Sequence, residues 1–245
     1  MPRKGDIMRY AIISDIHSNY TALYTVLQSM PRFMIDKIIC LGDIVGYGAE
    51  PNECLAAVQK ECDYVIMGNH DQALVNPKAA KRFNEEAKIS ILWNREQTKE
   101  KYFSFLESLA MRIKASDFYC VHASPLHPEK WGYVTPGKVT SKEWNSFEAP
   151  ICFIGHSHIP VVISKKGGKI DHSIVEIEEG DKYIINVGSI GQPRDGDRRL
   201  SFGIYDQEEK VFELIRMEYD YKKAVKKIRK AGLPVYNSNR LLMGR

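Results

Sequence analysis

The sequence predicts an α/β fold in which helices are layered on two sheets. In about the first 70 residues, short apolar runs alternate with amphipathic segments, and this alternation is typical of βαβ units with a parallel sheet. From residue 161 onward, strand-like runs follow one another with only turns between them, which is typical of antiparallel hairpins. A layered α/β fold with two sheets accommodates both patterns.

The strands are expected where short apolar runs rich in β-branched and aromatic residues occur. They are predicted at residues 10–14, 37–41, 64–67, 118–121, 151–154, 161–164, 183–187, 200–205 and 211–217. A turn at "KKGGK" is expected to join the strand at 161–164 to the one that follows it. Helices are predicted at 20–30 and 51–60, the second with proline in its first turn, where the missing N–H removes no hydrogen bond.

Two further segments carry helical patterns. Residues 77–113 predict an inserted helical pair, because Phe83, Ala87, Ile91 and Phe105 are among apolar positions at helical spacing and strand signals are lacking. Residues 219–231 predict a basic amphipathic helix that is ended by glycine and proline. We expect one domain over residues 1–245.

The composition argues against several classes of protein. The chain has 35 basic and 31 acidic residues and a net charge of +4, too weak an excess for a dedicated nucleic-acid binder. No run of about 18 apolar residues could span a membrane, and the first six residues lack the apolar core of a secretory signal, so a cytoplasmic protein is expected. The five cysteines show no paired close spacing and are expected to be reduced core thiols.

Side chains that can bind metal ions follow most of the predicted strands. The carboxyl ends of strands in an open α/β sheet border the crevice where ligands bind, so these side chains are expected to converge. Crowded carboxylates and imidazoles are costly unless a cation holds them. Oxygen and imidazole ligands without thiolate suit Mn²⁺, Fe or Zn²⁺, and seven ligands fit two ions that share a carboxylate. The seven are Asp15, His17, Asp43, Asn69, His122, His156 and His158.

Five motifs carry these residues in order: "SDIHSN", "LGDIVGYG", "MGNHD", "VHASP" and "GHSH". Together they resemble the calcineurin-like metallophosphoesterases over about residues 10–205. Each motif alone is weak, but all five in this order are highly specific. The resemblance implies a four-layer α/β/β/α sandwich with two mixed sheets, a centre of two metal ions at the strand ends, and hydrolysis of phosphoric esters.

The resemblance also implies roles for individual residues. One ion is expected to be held by Asp15, His17 and His158, the other by Asn69, His122 and His156, and Asp43 is expected to bridge them. Mn and Fe are the expected metals, with Zn or Ni as alternatives. If each aspartate merely capped a helix, the histidines would remain unexplained.

His70 resembles the family's histidine that faces the phosphate without binding metal. It is expected to protonate, or to donate a hydrogen bond to, the oxygen that leaves. Asp71 is expected to orient the imidazole. Both residues are therefore candidate catalytic residues.

Candidate substrate contacts come from three places. Asn69 is expected to contact substrate as well as metal, and Tyr47 either stacks on a base or fills the core. One of Arg194, Arg198 and Arg199 is expected to clamp phosphate, with Arg194 preferred. Trp93 and Trp131 either border the cleft or are packing residues.

The motifs describe a phosphate site and leave the substrate open. The sequence resembles a bacterial and archaeal branch that hydrolyses phosphodiesters or dinucleoside polyphosphates, so a nucleotide such as diadenosine tetraphosphate is the first expectation. The alternatives are a protein serine/threonine phosphatase, a broad phosphomonoesterase, a non-catalytic scaffold, and a nucleic-acid-binding module built on the lysine-rich helix. A membrane partner is not expected, and a homodimer is one alternative for the oligomeric state.

Overall fold

The computed structural model describes residues 8–245 and contains two sheets of six strands each. The predicted absence of a signal sequence concerns residues 1–6, which lie outside the described part. The strands are β1 Arg9–Ile13, β2 Lys37–Cys40, β3 Tyr64–Val65, β4 Arg112–Lys114, β5 Phe118–Val121, β6 Ile151–Ile154, β7 Val161–Ser164, β8 Gly168–Ile170, β9 Ile174–Glu176, β10 Tyr183–Asn186, β11 Leu200–Asp206 and β12 Val211–Met217. The helices are α1 Tyr20–Ser29, α2 Pro51–Glu61, α3 Asn69–Val75, α4 Glu85–Gln97, α5 Phe103–Glu107, α6 Ser141–Trp144, α7 Tyr221–Lys230 and α8 Val235–Met243.

Both sheets are mixed. The first has the strand order β3-β2-β1-β11-β12-β9, and the second has the order β4-β5-β6-β10-β7-β8. Strands β1, β2 and β3 are parallel to one another, as are β5, β6 and β10, and the other neighbours are antiparallel. The carboxyl ends of the two parallel sets supply the loops in which the motifs lie.

Alternation along the strands builds the layers. In β1, Tyr10 and Ile12 face the second sheet and contribute to the core between the sheets, whereas Ala11 and Ile13 pack against the helices. This is the two-residue period of a strand that is buried on both faces. A third cluster covers the outer face of the second sheet with Trp144 of α6 and loop residues such as Phe147. The four-layer sandwich is confirmed, and its fourth layer is thin.

The segment 77–113 is more varied than the predicted helical pair. It contains helices α4 and α5 with 3-10 turns before each of them. Its last two residues already belong to β4, which pairs antiparallel with β5. The alternation of this three-residue strand is too short to be recognised in the sequence.

The C-terminal part holds one helix more than predicted. Helix α7 lies within the predicted range, and α8 follows after Pro234, the residue that precedes its first turn. A proline at the start of a helix is well tolerated, so the residue taken as a stop signal also begins the next helix. The short strands β8 and β9 were likewise not assigned individually from the sequence.

The five cysteines are free, and four of them are buried: Cys40, Cys54, Cys120 and Cys152. Within residues 8–245, every helix is too short or too polar to cross a lipid bilayer. His127 and His172 are exposed, as expected of histidines outside the motifs.

Candidate metal centre and substrate cleft

The loops after β1, β2, β5 and β6 bring six of the predicted metal ligands into two groups. Asp15, His17, Asp43 and His158 form one group, and Asp43, His122 and His156 form the other, with all ligand atoms of a group within 4.8 Å of one another. Every one of these side chains is buried. Asp43 is the member common to both groups. The seventh predicted ligand, Asn69, is the first residue of α3 and lines the same cleft as Asp43 and His156.

The backbone of these loops is held in a sparsely populated conformation. Asp15, His17, Asp43, His156 and His158 all have φ between +50° and +66°. A residue with a side chain rarely adopts this left-handed region, and such residues cluster at functional sites when the surrounding structure holds them there. Hydrogen bonds between loops supply that support, since the N–H of Asp15 donates to Gly42 and the N–H of His17 donates to Asp43.

Close packing of the loops explains the glycines of the motifs. A side chain at Gly155 would lie 2.5 Å from the carboxylate of Asp15, and one at Gly68 would lie 2.2 Å from the carboxylate of Asp43. Contacts this short are not tolerated. The glycines therefore let the ligand loops approach one another.

Three histidines are oriented by backbone carbonyl groups. Atom Nδ1 of His17, His122 and His158 lies within hydrogen-bond distance of a carbonyl oxygen, at 3.0, 2.8 and 2.6 Å respectively. When Nδ1–H donates to that oxygen, Nε2 carries the lone pair. This arrangement directs the lone pairs into the centre and is the common support of metal-binding histidines.

The central atoms lie close together, and within the described residues several of them lack a hydrogen-bond partner. Nε2 of His17 is 3.0 Å from Nε2 of His158, and Nε2 of His122 is 3.3 Å from a carboxylate oxygen of Asp43. When Nδ1 of both His17 and His158 carries the proton, the lone pairs of their Nε2 atoms face each other and repel. Among residues 8–245, the buried atoms Oδ1 of Asp15, Oδ1 of Asn69 and Nε2 of His122 have no hydrogen-bond partner. Metal ions would satisfy these atoms, so the residues fit a metal centre.

Most of the metal-ligand candidates whose pKa values are shifted are in the deprotonated form that binds a cation. Burial by itself raises the pKa of Asp15 and Asp43, but His158 and His122, respectively, outweigh it and hold these values below their usual range. Burial lowers the pKa of His156 to about 3. His122 differs, because burial lowers its pKa but Asp43 outweighs that effect and raises the value to about 9. A metal ion at Nε2 would have to displace this proton.

The structure corrects the role expected of Asp71. Its carboxylate accepts hydrogen bonds from the backbone N–H groups of Asp43, Ile44, Val45 and Gly68 at 2.7 to 3.3 Å. Among residues 8–245, no hydrogen bond joins Asp71 to the imidazole of His70. Consecutive residues of a helix point about 100° apart, so the carboxylate of Asp71 does not face the imidazole of His70. Asp71 therefore anchors the loop of Asp43.

His70 lies in the cleft with its imidazole among aromatic rings. Its ring centre is 4.7 Å from that of Tyr47, 4.8 Å from that of His17 and 4.5 Å from that of Phe83. Within the described residues, Nδ1 of His70 is buried without a hydrogen-bond partner. Gly46 makes room for this ring, because a side chain there would lie 2.4 Å from Nδ1. This glycine therefore accommodates the ring of His70.

Of the predicted substrate contacts, Asn69, Tyr47 and Arg194 line the cleft. The guanidinium of Arg194 lies over the ring of Tyr47 at 5.4 Å. The other two arginines of this loop have different partners, since Arg198 lies over Tyr221 and Arg199 pairs with Asp197. Trp131 lines the cleft, whereas Trp93 packs against the core.

Some residues of the cleft wall were not predicted. Arg82 comes from the inserted segment, Lys130 and Tyr133 come from the loop after β5, and Arg240 comes from α8. The cleft has a volume of about 320 Å³. Basic residues at helix ends and in loops are common on any surface, so no pattern in the sequence marks these positions.

Two buried asparagines join the outer helices to the loop of Asp43. Asn94 of α4 accepts hydrogen bonds from Ser18 and from the N–H of Gly46, and donates to the carbonyl oxygen of Gly48. Asn237 of α8 donates to the carbonyl oxygen of Tyr47. The cleft wall and the metal centre are therefore linked through the backbone of residues 46–48.

Comparisons with known proteins agree with this geometry. The family model of the calcineurin-like phosphoesterase superfamily domain matches residues 8–210. An uncharacterised protein of Methanocaldococcus jannaschii is 42% identical over 240 residues, covering 96% of this chain and 98% of that protein. A metallophosphoesterase structure from Sphaerobacter thermophilus has a TM-score of 0.88 at 35% identity and covers 98% of this chain and 100% of its own.

A more distant structure extends the likeness of the fold. A hypothetical protein from Pyrococcus horikoshii OT3 has a TM-score of 0.80 at 21% identity, covering 97% of this chain and 98% of that chain. The family match spans most of the sequence, and the buried cluster of aspartates and histidines is one that could bind metals. The chain belongs to the calcineurin-like phosphoesterase superfamily and is a phosphoesterase.

Proposed function

We propose that this phosphoesterase hydrolyses phosphodiester or phosphoanhydride bonds of nucleotides, and that dinucleoside polyphosphates such as diadenosine tetraphosphate are substrates. The observation that carries the proposal is the charge of the cleft. Of residues 8–245, four basic residues line it, namely Arg82, Lys130, Arg194 and Arg240, and the one acidic residue that lines it is the metal-ligand candidate Asp43. An excess of positive charge in a cleft favours a polyanionic substrate.

The aromatic residues of the cleft support a nucleotide. Tyr47, Trp131 and Tyr133 line the same cleft as the basic residues. Tyr133 is largely exposed, and its ring stacks on that of His156 at 4.4 Å. A flat exposed ring beside a phosphate site can stack on a base. The combination of basic and aromatic side chains fits a base joined to several phosphates.

The metal ions are assigned to the two groups of ligands as the family pattern implies. Asp15, His17 and His158 would hold one ion, Asn69, His122 and His156 would hold the other, and Asp43 would serve both. When bound, two such ions polarise phosphoryl oxygens and make water a nucleophile at neutral pH. Mn and Fe suit the oxygen and imidazole ligands, and Zn and Ni are alternatives. The protein supplies the orientation through carbonyl contacts to the histidines.

His70 stabilises the oxygen that leaves. Burial lowers its pKa to about 4, so the imidazole is neutral at pH 7 and donates one N–H hydrogen bond. The negative charge of a bound phosphate favours the protonated form and moves this pKa back up. His70 can then transfer its proton to a leaving alkoxide.

The experiment is to separate the products after incubation of Mn²⁺-loaded protein with diadenosine tetraphosphate. ATP plus AMP would identify asymmetric cleavage, and two molecules of ADP would identify symmetric cleavage. The control is Asp43→Asn, which removes the charge shared by both ligand groups and is expected to abolish turnover. Turnover that persists in this variant would contradict the shared role of Asp43 in the two ligand groups.

A second set of substrates is needed for the opposite outcome. If metal-loaded protein leaves diadenosine tetraphosphate intact but hydrolyses bis(p-nitrophenyl) phosphate, the phosphoesterase chemistry stands and this substrate is wrong. Turnover of a phosphoserine peptide would then favour a protein phosphatase, and turnover of p-nitrophenyl phosphate would favour a broad phosphomonoesterase.

A further inference from the structure

Two arginines from distant parts of the chain meet at one oxygen atom in the cleft. Arg194, in the loop after β10, donates to Oε1 of Gln192 from Nη2 at 2.7 Å and from Nε at 3.2 Å. Arg240, in α8, donates to the same oxygen from Nη1 at 3.3 Å. A neutral carbonyl oxygen is thus the shared acceptor of two positively charged groups.

No carboxylate among residues 8–245 lies within 4.0 Å of the nitrogen atoms of Arg194 or Arg240. Two neighbouring arginines differ, because each has a carboxylate partner. Arg199 pairs with Asp197, and Arg216 pairs with Asp195. The two acidic residues of this loop, Asp195 and Asp197, therefore pair with arginines outside the cleft. Within residues 8–245, the charges of Arg194 and Arg240 are not paired with a carboxylate.

Holding two guanidinium groups together costs electrostatic free energy. Both side chains are half-buried, so solvent screens their repulsion less than it would at an exposed site. Burial and the charge of Arg194 lower the pKa of Arg240, although a guanidinium stays protonated at neutral pH. A bound anion removes this cost, and planar guanidinium groups match the oxygen atoms of phosphate in paired hydrogen bonds.

The position of the pair relates it to the metal centre. Arg194 lies over the ring of Tyr47, and that ring is 4.7 Å from the rings of both His17 and His70. Gln192 adds a second connection, because its backbone carbonyl oxygen is 2.6 Å from Nδ1 of His158. The arginines therefore stand one side chain away from the metal-ligand candidates.

We propose that Arg194 and Arg240 form an anion subsite that binds a second phosphate group of the substrate while the first is held at the metal centre. The inference rests on the proposed function and narrows it to compounds with at least two consecutive phosphate groups. It also gives α8 a role, since this helix completes the substrate cleft. In this proposal the two arginines bind the second phosphate group, and neither contacts the bond that is hydrolysed.

The test compares two ligands that differ by one anionic group and resist hydrolysis. Methylphosphonate carries one phosphonate, and methylenediphosphonate carries two. Calorimetry measures the Kd of each for metal-loaded protein, for Arg240→Gln and for Arg198→Gln. Arg198→Gln is the matched control, because it removes an equal charge from the loop of Arg194. The guanidinium of Arg198 lies over Tyr221, outside the cleft.

We expect Arg240→Gln to raise the Kd of methylenediphosphonate about tenfold, which is the effect of losing a hydrogen bond to a charged group. The Kd of methylphosphonate should change by less than about twofold. Arg198→Gln should leave both Kd values unchanged. Arg240→Lys keeps the positive charge but loses the planar guanidinium group, so it should raise the Kd of methylenediphosphonate by an intermediate factor. Equal weakening of both ligands, or no weakening of either, would overturn the subsite. A fall in Tm with equal weakening would mean that Arg240 only fastens α8.

Turnover separates the subsite from the proposed function. If the selectivity for methylenediphosphonate depends on Arg240 while diadenosine tetraphosphate is left intact, the subsite stands and the nucleotide substrate is wrong. If diadenosine tetraphosphate is hydrolysed and Arg240→Gln changes neither its KM nor phosphonate binding, the subsite is wrong and the function stands.

Discussion

The floor and the wall of the cleft differ in how they are built. The floor consists of the seven metal-ligand candidates, which are buried, and five of them have left-handed backbone conformations. The wall consists of Arg82, Lys130, Arg194 and Arg240, which are exposed or half-buried and come from four separate segments. A rigid floor suits chemistry that requires fixed distances, whereas a wall of long side chains can change without disturbing it. We propose that the floor determines the reaction and that the wall selects the substrate.

The largest effect is expected at the floor. Asp43→Asn removes the charge common to both ligand groups, and we expect kcat to fall at least about 10³-fold as electrostatic stabilisation is lost. Steady-state kinetics and the metal content of the purified variant measure this effect. The control is Asp171→Asn, an exposed residue whose ion-pair partner within residues 8–245 is Lys169. A fall of less than about tenfold would contradict the bridging role.

His70 lies where the floor meets the wall, and its removal should depend on the leaving group. We expect His70→Ala to lower kcat/KM about 10²-fold on alkyl phosphate esters, which need a proton on the leaving oxygen. The loss on nitrophenyl esters should be smaller than about tenfold, because nitrophenolate leaves without protonation. Equal losses on both classes of ester would remove the acid role.

Asn94 links the wall to the floor by hydrogen bonds, so its removal should lower the free energy of unfolding. Asn94→Ala leaves the N–H of Gly46 and the carbonyl oxygen of Gly48 without their side-chain partner, which costs about 1–3 kcal/mol of unfolding free energy. Urea denaturation measures this loss. Gln97→Ala, an exposed change on the same helix, should cost less than about 0.5 kcal/mol. If the two variants were equally stable, the link between the regions would be unimportant.

The smallest effect is expected at the exposed part of the wall. Arg82→Gln should raise KM for a polyanionic substrate by a factor of about two to three, since an exposed charge is screened by solvent and salt. The difference from the unmodified protein should disappear at about 1 M salt. A loss of kcat, or a difference that persists at high salt, would place Arg82 in direct contact with substrate.

The fold was predictable where local pattern is strong. The parallel strands β1 and β2 and the helices α1 and α2 lie close to their predicted bounds, because a continuous apolar run or a helical apolar period extends over each of them. Strands β4, β8 and β9 have three residues each, which is too few for a period to be recognised. Pairing with a neighbouring strand defines these elements.

The candidate site was predictable to the extent that residue type defines its chemistry. The aspartates and histidines at the strand ends converge because parallel strands carry their following loops to one edge of a sheet. The role of Asp71 was not predictable, since its backbone partners depend on how the loop of Asp43 folds against α3.

The sequence by itself determined which side chains can bind metal ions and in what order the strands present them. Ligand chemistry belongs to the residue type, and a strand end is a local feature. Only the tertiary structure decided what surrounds them. Arg240 and Gln192 are 48 residues apart, and they meet because α8 packs beside the loop of Asp43 through Asn237. Contacts of this kind depend on how helices pack, which no short sequence motif encodes.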